Sequence, residues 1–354
     1  MRLLFTGALT VLLAIGGPAA VDVIDRKGDI DKEIKARVDA GRNAGIVVGT
    51  VEPDGSSVIG AYGNPGPGAL PLDGDSVFEI GSITKVFTVT LLADMVDRGE
   101  LSLDDPVQKY LPAGVTVPQR NGRQITLVDL ATHTSGLPRL PTNMQPRDPM
   151  NPYADYTAER LYSFLNGAQL TRDIGSTHEY SNLGVGLLGH ALVRRAGRSY
   201  EALVAERILK PLGMAHTGVA LTPWMKAHLA LGHDAEGNVV SNWDIGVLEG
   251  AGALRSTVND MLRFARGNLD TSQNRLARIL RQTHQVRVPT GRSDTSMALG
   301  WLIRHVDGHA IVWHNGGTGG YRTWIGFDET RRIAAVVLTN SSQGADDLGY
   351  LLLK

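Results

Sequence analysis

Near the start of the chain, apolar residues alternate with small ones. Residues 44–63 read AGIVVGTVEPDGSSVIGAYG, and the alternation breaks at Pro53-Asp54-Gly55-Ser56. This pattern predicts a hairpin with strands near 45–51 and 57–62. The last third of the chain predicts further strands joined by short turns, followed by a short helix, in the stretches ALGWLIRHV, AIVWHNG, YRTWIGFDE, RIAAVVLTN and ADDLGYLLLK.

Helical spacing dominates the middle of the chain. From Ser82 to about Asp97, apolar residues recur every three or four positions, and Gly99 is suited to end the segment. We therefore predict a helix with Ser82 at its amino terminus and Lys85 one turn later on the same side. Residues 100–270 predict loops and further helices, in LVDLATHT, AERLYSFLNG, GVGLLGHALVRRAG, SYEALVAERILKPLG and VNDMLRFARG.

Strands at both ends with helices between them predict an α+β fold, an α/β sandwich. One antiparallel sheet would be built from both chain ends and carry flanking helices, with a mostly helical region inserted into it. The sheet part would comprise about residues 40–80 and 265–354, and the helical part about residues 82–264. The groove where these two parts meet is the expected place for a binding site.

Composition narrows the class of protein. The chain has 354 residues, of which 42% are hydrophobic and 20% charged, as in ordinary globular proteins. The net charge is -1, and no basic cluster is longer than Arg194-Arg195 or Arg331-Arg332, so we expect no nucleic-acid partner. The absence of cysteine excludes disulfides and thiol nucleophiles, and the ten histidines lack ligand spacing. We expect neither a metal nor a cofactor.

The first twenty residues have the pattern of a secretory signal peptide. Arg2 precedes an apolar stretch from Leu3 to Ile15, and the small residues of Gly17-Pro18-Ala19-Ala20 follow. We predict cleavage after Ala19 or Ala20 and a periplasmic or secreted protein. The alternative is an uncleaved membrane anchor, for which the apolar run is short.

Ser82 and Lys85 form the first candidate for chemistry. A serine hydroxyl is a weak nucleophile at neutral pH and needs a nearby base. Lys85 can act as that base if burial or a neighbouring cation lowers its pKa, and Ile83, Val86 and Phe87 offer an apolar environment. The alternative is a surface lysine on the first turn of an amphipathic helix.

Two later stretches add candidate residues. Tyr180 and Asn182 lie two positions apart in a predicted loop, so they can point into one groove. His314, Asn315, Gly316 and Gly317 end an apolar strand, and glycines there allow a substrate close to the backbone and an N–H to a developing oxyanion. Taken singly, Tyr180 could be an aromatic residue at the core edge and His314 a hydrogen-bonded histidine at a strand end.

Together and in this order, the three motifs resemble those of the penicillin-recognising serine hydrolases. More narrowly, the chain resembles the branch that holds class C β-lactamases, serine DD-peptidases, D-aminopeptidases and β-lactamase-like esterases. The stretches that carry the resemblance lie between about residues 44 and 340 and include FEIGSITK, DLATHTSGLPR, HEYSNLG, GALRSTVNDM and HNGGTGGYRTWIGFD. Residues 21–354 would form one β-lactamase-like hydrolase domain.

The resemblance implies a role for each candidate residue. Ser82 would be the nucleophile that forms an acyl-enzyme, while Lys85 and Tyr180 would share the proton transfers. Asn182 would bind Lys85 and the substrate amide. The backbone N–H groups of Ser82 and Gly317 would form the oxyanion hole. Phe78, Glu79 and Gly81 are expected to be scaffold residues.

The third motif departs from class C β-lactamases, which carry Lys-Thr-Gly. Here His314 replaces the lysine and Asn315 the threonine, so a permanent cation for a substrate carboxylate is missing. Arg322 is a nearby candidate for that cation.

The leading hypothesis is an exported enzyme that cleaves a β-lactam or a D-alanyl amide, both small-molecule substrates. The alternatives are a carboxylesterase of the same fold, a DD-peptidase or D-aminopeptidase, and a penicillin-binding sensor that acylates without turnover. An ordinary lipase fold is disfavoured because the Gly-x-Ser-x-Gly elbow is absent.

Overall fold

A computed structural model describes residues 25–354, and the predicted signal peptide, residues 1–20, lies outside these described residues. The strands are β1 (Gly45–Val51), β2 (Ser57–Gly63), β3 (Phe78–Glu79), β4 (Arg255–Ser256), β5 (Val288–Pro289), β6 (Thr295–Met297), β7 (Leu302–Val306), β8 (His309–Gly317), β9 (Arg322–Asp328) and β10 (Ile333–Thr339). The helices are α1 (Arg26–Asp39), α2 (Thr84–Asp97), α3 (Leu127–Ala131), α4 (Ala158–Gly167), α5 (Asn182–Ala196), α6 (Tyr200–Val204), α7 (Lys210–Leu212), α8 (Pro223–Ala227), α9 (Val258–Leu269), α10 (Arg275–Thr283) and α11 (Asp346–Leu352).

The main sheet confirms the predicted α+β architecture. Its eight strands run in the order β2-β1-β10-β9-β8-β7-β6-β5, and every neighbouring pair is antiparallel. Strand β1 pairs with β10, so that Ile46 lies opposite Thr339 and Val51 opposite Ala334. Strands from both ends of the described chain therefore pair within one sheet.

Helices cover both faces of this sheet. Every residue of β1 is buried, and its side chains alternate between two hydrophobic clusters. Val47 and Val51 belong to the larger cluster, which includes α2, α5 and α9, whereas Ile46 and Val48 pack in the cluster with α1 and α11. A strand buried on both faces is expected to be apolar at consecutive positions, as in the Ile46–Val48 run.

Helix α2 passes through the interior of the larger cluster. All its residues from Thr84 to Met95 are buried, including the ionisable side chains of Lys85 and Asp94. The predicted start of this helix at Ser82 is wrong by two residues, because Gly81–Ile83 form a 3₁₀ turn and the α-helix begins at Thr84. Ser82 is thus the middle residue of that turn, at the point where the chain enters the core.

A second, two-stranded ladder lies outside the main sheet. Strand β3 pairs with β4, with Phe78 opposite Ser256 and Glu79 opposite Arg255. This pairing ties the segment before Ser82 to the end of the helical region rather than to the main sheet. Among residues 25–354, no helix is both long and apolar enough to cross a membrane.

Candidate active site

The Lys85 amino group lies at the centre of the predicted site. Its Nζ is 3.0 Å from Ser82 Oγ, 2.8 Å from Asn182 Oδ1 and 2.6 Å from the Ala251 carbonyl oxygen. The side chain is fully buried. The structure therefore brings together Ser82, Lys85 and Asn182, which come from a 3₁₀ turn, α2 and the start of α5.

Burial holds the pKa of Lys85 well below its usual range, and the nearby positive charge of Arg139 lowers it further. A neutral amine has two N–H bonds and one lone pair. With its two protons donated to Asn182 Oδ1 and the Ala251 carbonyl, the lone pair faces the Ser82 hydroxyl. This arrangement suits Lys85 to accept the Ser82 proton.

Tyr180 lies beside this pair. The Lys85 Nζ is 4.9 Å from the centre of its ring, and the Arg139 guanidinium carbon is 5.0 Å from it. Burial raises the pKa of Tyr180 to about 12, although Ser82 and the Arg139 charge oppose the shift. The phenol therefore stays protonated at neutral pH and is suited to donate a proton.

The start of α5 explains why Tyr180 and Asn182 both reach the site. Ser181 is the N-cap, with extended backbone angles, and its Oγ accepts from the Gly184 N–H at 2.8 Å and donates to the Pro138 carbonyl at 2.7 Å. The predicted loop thus ends at Ser181, and Asn182 is already helical. Asn182 Nδ2 donates to Tyr153 Oη at 3.2 Å, which orients its Oδ1 toward Lys85.

His133 packs against the segment Tyr180–Ser181 at the start of α5. Its Nδ1 accepts from the Ser181 N–H at 3.1 Å, and its ring centre is 4.6 Å from that of Tyr180. Burial holds the pKa of His133 well below its usual range, with the charge of Lys85 as a further cause. A neutral His133 is therefore part of the support for Tyr180.

His314 is buried and uncharged. Its Nδ1–H donates to the Asn315 carbonyl oxygen at 2.6 Å, and its ring centre is 6.4 Å from that of Tyr180. Burial and the charge of Lys85 lower the pKa of His314 to about 3. Its side chain therefore supplies no cation near neutral pH.

Asn315 points away from Ser82. Neighbouring side chains of a strand alternate between faces, and Asn315 shares a face with Trp313 on the side of α11. Its Nδ2 donates to Asp346 Oδ2 at 2.6 Å. The amide is thus engaged by α11, although Asn315 still contributes to the edge of the cleft.

Gly316 and Gly317 allow β8 to approach the turn that carries Ser82. A Cβ at Gly316 would lie 2.0 Å from the Ile80 carbonyl oxygen and 2.4 Å from Thr323 Oγ1. Beyond Gly317, the Thr318 N–H donates to the Tyr321 carbonyl at 3.1 Å. Because hydrogen-bonded positions alternate along an antiparallel strand, the Gly317 N–H points away from β9.

These residues line a cleft of about 530 Å³. The predicted residues at its surface are Ser82, Tyr180, Asn182, Asn315, Gly316 and Gly317, while Lys85 and His314 lie behind it. The sequence motifs assign no role to several other residues of the site, among them Arg139, Tyr153, Trp243 and the Ala251 carbonyl. Arg139 ends the stretch DLATHTSGLPR, which carries part of the family resemblance and could have marked this residue as part of the site. No residue type marks a backbone carbonyl in advance.

Glu79 has a scaffold position behind the cleft. Its Oε1 accepts from the Trp243 N–H at 2.7 Å and from Arg255 Nη2 at 3.2 Å. Arg255 Nη2 also donates to the Trp243 carbonyl at 2.7 Å. The buried pair thus holds Trp243 in the wall of the cleft.

The fold and the surroundings of Ser82 define a serine hydrolase, and the similarity to known proteins identifies which kind. The chain belongs to the family described as Beta-lactamase, whose model matches residues 30–352, so the resemblance seen in the sequence is confirmed.

Relatives and solved structures agree with this family. The chain is 31% identical to the D-alanyl-D-alanine-carboxypeptidase/endopeptidase AmpH of Escherichia coli K12, over 93% of this chain and 88% of that protein. It is 29% identical to the beta-lactamase of the same strain, over 77% of each chain. A beta-lactamase/D-alanine carboxypeptidase from Yersinia pestis superimposes with a TM-score of 0.80 at 25% identity, covering 94% of this chain and 98% of that one. A class C beta lactamase from Rhodobacter sphaeroides superimposes with a TM-score of 0.75 at 25% identity, covering 88% and 93%.

Proposed function

We propose that the protein hydrolyses the amide bond of a D-alanyl peptide or of a β-lactam through an acyl-enzyme on Ser82. The observation that carries the proposal is the buried Lys85 Nζ, 3.0 Å from Ser82 Oγ. A lysine held neutral beside a serine hydroxyl is the arrangement that serine acylation without a histidine base requires.

In acylation, Lys85 takes the proton of Ser82 as its Oγ attacks the substrate carbonyl. Tyr180 then gives its proton to the departing amine, and Lys85, now charged, returns a proton to the phenol. Each group starts in the required state, because the pKa of Lys85 is lowered and that of Tyr180 is raised to about 12. In deacylation a water molecule attacks the acyl carbonyl and gives a proton to Lys85, while the bond to Ser82 Oγ breaks and Tyr180 gives its proton to that oxygen. Lys85 then returns its proton to the phenol.

The backbone N–H groups of Ser82 and Gly317 would bind the oxyanion. Both residues line the cleft, and Gly81 touches Gly317 so closely that a Cβ at Gly81 would lie 2.7 Å from the Gly317 nitrogen. Donors held this rigidly need no rearrangement when charge develops, which is the basis of oxyanion stabilisation.

Two relatives support the proposed substrate classes. The name of the 31% identical relative specifies D-alanyl-D-alanine carboxypeptidase and endopeptidase activity, and that of the 29% identical relative specifies β-lactamase activity. Both reactions hydrolyse an amide bond. In a D-alanyl peptide its carbonyl is attached to a D-configured Cα, and in a β-lactam the amide is part of the strained ring. Both fit the same acylation step. We further propose that residues 1–20 direct export, which would place the enzyme in the periplasm or the medium.

The test is a substrate panel with purified mature protein. We expect release of D-alanine from a D-alanyl-D-alanine peptide, or loss of penicillin absorbance, and neither with Ser82→Ala. Turnover of aryl esters with no turnover of either amide substrate would instead identify a carboxylesterase and contradict the proposal.

A further inference from the structure

Anionic substrates in this site need a cation that the third motif does not supply. His314 is neutral, with its pKa lowered to about 3, and Lys85 is buried against Ser82. Asn315 is bound to Asp346. Two arginines remain at the surface of the cleft, Arg139 and Arg322, and no aspartate or glutamate of residues 25–354 lines it.

Arg322 is the arginine that the backbone holds in place. Its Nη1 donates to the Thr318 carbonyl at 2.7 Å and to the Tyr321 carbonyl at 2.8 Å. Arg139, by contrast, is exposed and its guanidinium rests on the Tyr180 ring. A guanidinium anchored through one nitrogen keeps its remaining N–H groups in a fixed direction, which favours paired contacts to a carboxylate.

The anchored guanidinium lies beside Gly317, whose N–H is one of the two proposed oxyanion donors, on the α11 face of β8 that Asn315 shares. A Cβ at Gly317 would be 3.1 Å from Arg322 Nη1 and 3.3 Å from its Cζ. In a peptide that ends in a free D-alanine carboxylate, only the amide nitrogen and one Cα separate that carboxylate from the scissile carbonyl. A cation beside Gly317 is therefore within reach of the carboxylate when the carbonyl oxygen is bound at Gly317.

The charge of Arg322 is incompletely balanced inside the protein. The group is half-buried, and Asp346 is its acidic neighbour. The Asp346 carboxylate, however, accepts from Asn315, and no ion pair joins it to Arg322 among the described residues. A partly desolvated cation without a bonded carboxylate gains more from an incoming anion than an exposed one does.

We propose that Arg322 is the specificity-determining residue that binds a substrate carboxylate next to the scissile carbonyl, in place of the lysine that the third motif lacks. This inference rests on the proposed amide hydrolysis by Ser82. It makes carboxylate recognition independent of histidine protonation. The preferred substrates are then peptides with a free C-terminal D-amino acid.

The experiment compares two peptides that differ only in this group, a D-alanyl-D-alanine peptide with a free carboxylate and its C-terminal carboxamide. We expect Arg322→Met to lower kcat/KM for the acid by about 10- to 100-fold, since hydrogen bonds to charged groups have this magnitude, and to leave the amide within about 3-fold. The loss of kcat/KM should come mainly from a higher KM. The matched control is Arg292→Met, which removes an exposed arginine from the turn between β5 and β6.

The acid-to-amide ratio is measured on one preparation, so a reduced fraction of active protein does not alter it. Arg322→Gln, which can still donate to the Thr318 carbonyl, serves as the second variant. An unchanged ratio in both variants, or equal losses on acid and amide, would overturn the role of Arg322 while leaving the proposed function intact. If the unaltered enzyme cleaves neither peptide and no β-lactam, the proposed function itself fails, and this inference fails with it.

Discussion

Lys85 illustrates how a side chain takes its chemistry from its surroundings. The same residue on a surface helix would be charged at neutral pH, but here it is fully buried and lies near the cation of Arg139. Both effects favour the neutral amine. Burial has the opposite effect on the pKa of Tyr180. The protonated form of a phenol is the neutral one, so burial favours it and raises the pKa to about 12. One environment therefore prepares a base and an acid side by side.

The Arg139 charge can be tested through the pH profile. Arg139→Gln removes a cation that lowers the pKa of Lys85, so that pKa should rise. Because the proposed base, Lys85, can accept a proton only when it is unprotonated, the rising acidic limb of the kcat/KM profile should move to higher pH. Arg292→Gln is the control and should leave the limb in place. A limb that stays fixed in Arg139→Gln would show that Lys85 does not govern it.

The Tyr180 proton can be tested by varying the leaving group. Tyr180→Phe should lower kcat/KM for an amide by about 10²- to 10⁴-fold, because an amine must be protonated as it departs. For an aryl ester, whose leaving group departs as an anion, kcat/KM should fall much less. Tyr162→Phe, whose hydroxyl contacts His190 away from the cleft, is the matched control. Equal losses on both substrates would assign Tyr180 a different role.

At the scale of elements, the site depends on three segments meeting at one point. The turn Gly81–Ile83, the start of α5 and the end of β8 each contribute one motif, and the contact of Gly316 with the Ile80 carbonyl fixes the distance between two of them. No Cβ fits at that contact. The strand end is therefore a packing constraint as well as part of the cleft wall.

Gly316→Ala tests this constraint. The added methyl group would overlap the Ile80 carbonyl oxygen and Thr323 Oγ1, so β8 must shift. We expect the free energy of unfolding to fall by about 1–3 kcal/mol, as for other overpacked sites, and labelling of Ser82 by a fluorophosphonate to slow. Gly344→Ala, where no heavy atom lies within 4 Å of the new methyl, should change neither property. Normal labelling in Gly316→Ala would contradict the close approach.

Elements with strong local patterns were predictable from the sequence, and those defined by distant partners were not. The hairpin β1–β2 and helix α2 follow from alternation, a Pro-Asp-Gly turn and helical spacing. The pairing of β3 with β4 joins residues 78–79 to 255–256 and leaves no local pattern, since each strand has two residues. Helix α1 has few apolar residues, and its buried Ile30 and Ile34 form only a short stripe.

In the candidate site, too, some features were predictable from the sequence and others depend on distant parts of the fold. The grouping of Ser82, Lys85, Tyr180 and Asn182 was predictable because their spacing resembles that of a known family. The direction of Asn315, however, depends on the strand face and on Asp346 in α11. The neutral state of His314 depends on burial that arises only when β8 is packed. Side-chain direction and pKa are tertiary properties that spacing cannot supply.

At the scale of the whole molecule, the buried site makes the fold sensitive to acid. Several basic side chains are neutral in the folded state and take up protons on unfolding, among them His314, whose pKa is lowered to about 3, and His190, lowered to about 4. Since the usual histidine pKa is about 6.5, the unfolded chain binds more protons below this pH. The contribution of these two histidines to stability is thus fully present above about pH 6.5 and is lost as the pH falls toward their folded-state pKa values.

His314→Asn should make this decrease smaller. One proton taken up on unfolding contributes a slope of up to about 1.4 kcal/mol per pH unit, which the variant removes between about pH 6.5 and the folded-state pKa. The measurement is the free energy of unfolding by urea at a series of pH values. His305→Asn, at an exposed histidine, is the control. Identical slopes for His314→Asn and the unaltered protein would mean that His314 is already charged in the folded state.

The central claim is that Ser82 forms a covalent acyl-enzyme and then releases it. The most direct test is the intact-protein mass over time after a penicillin is added to the mature chain, with Ser82→Ala as the control. We predict an adduct of one penicillin that appears, clears as the drug is consumed and is absent from Ser82→Ala. An adduct of equal mass on Ser82→Ala would contradict the assignment of the nucleophile, and an adduct on Ser82 that never clears would contradict turnover and identify a penicillin-binding sensor.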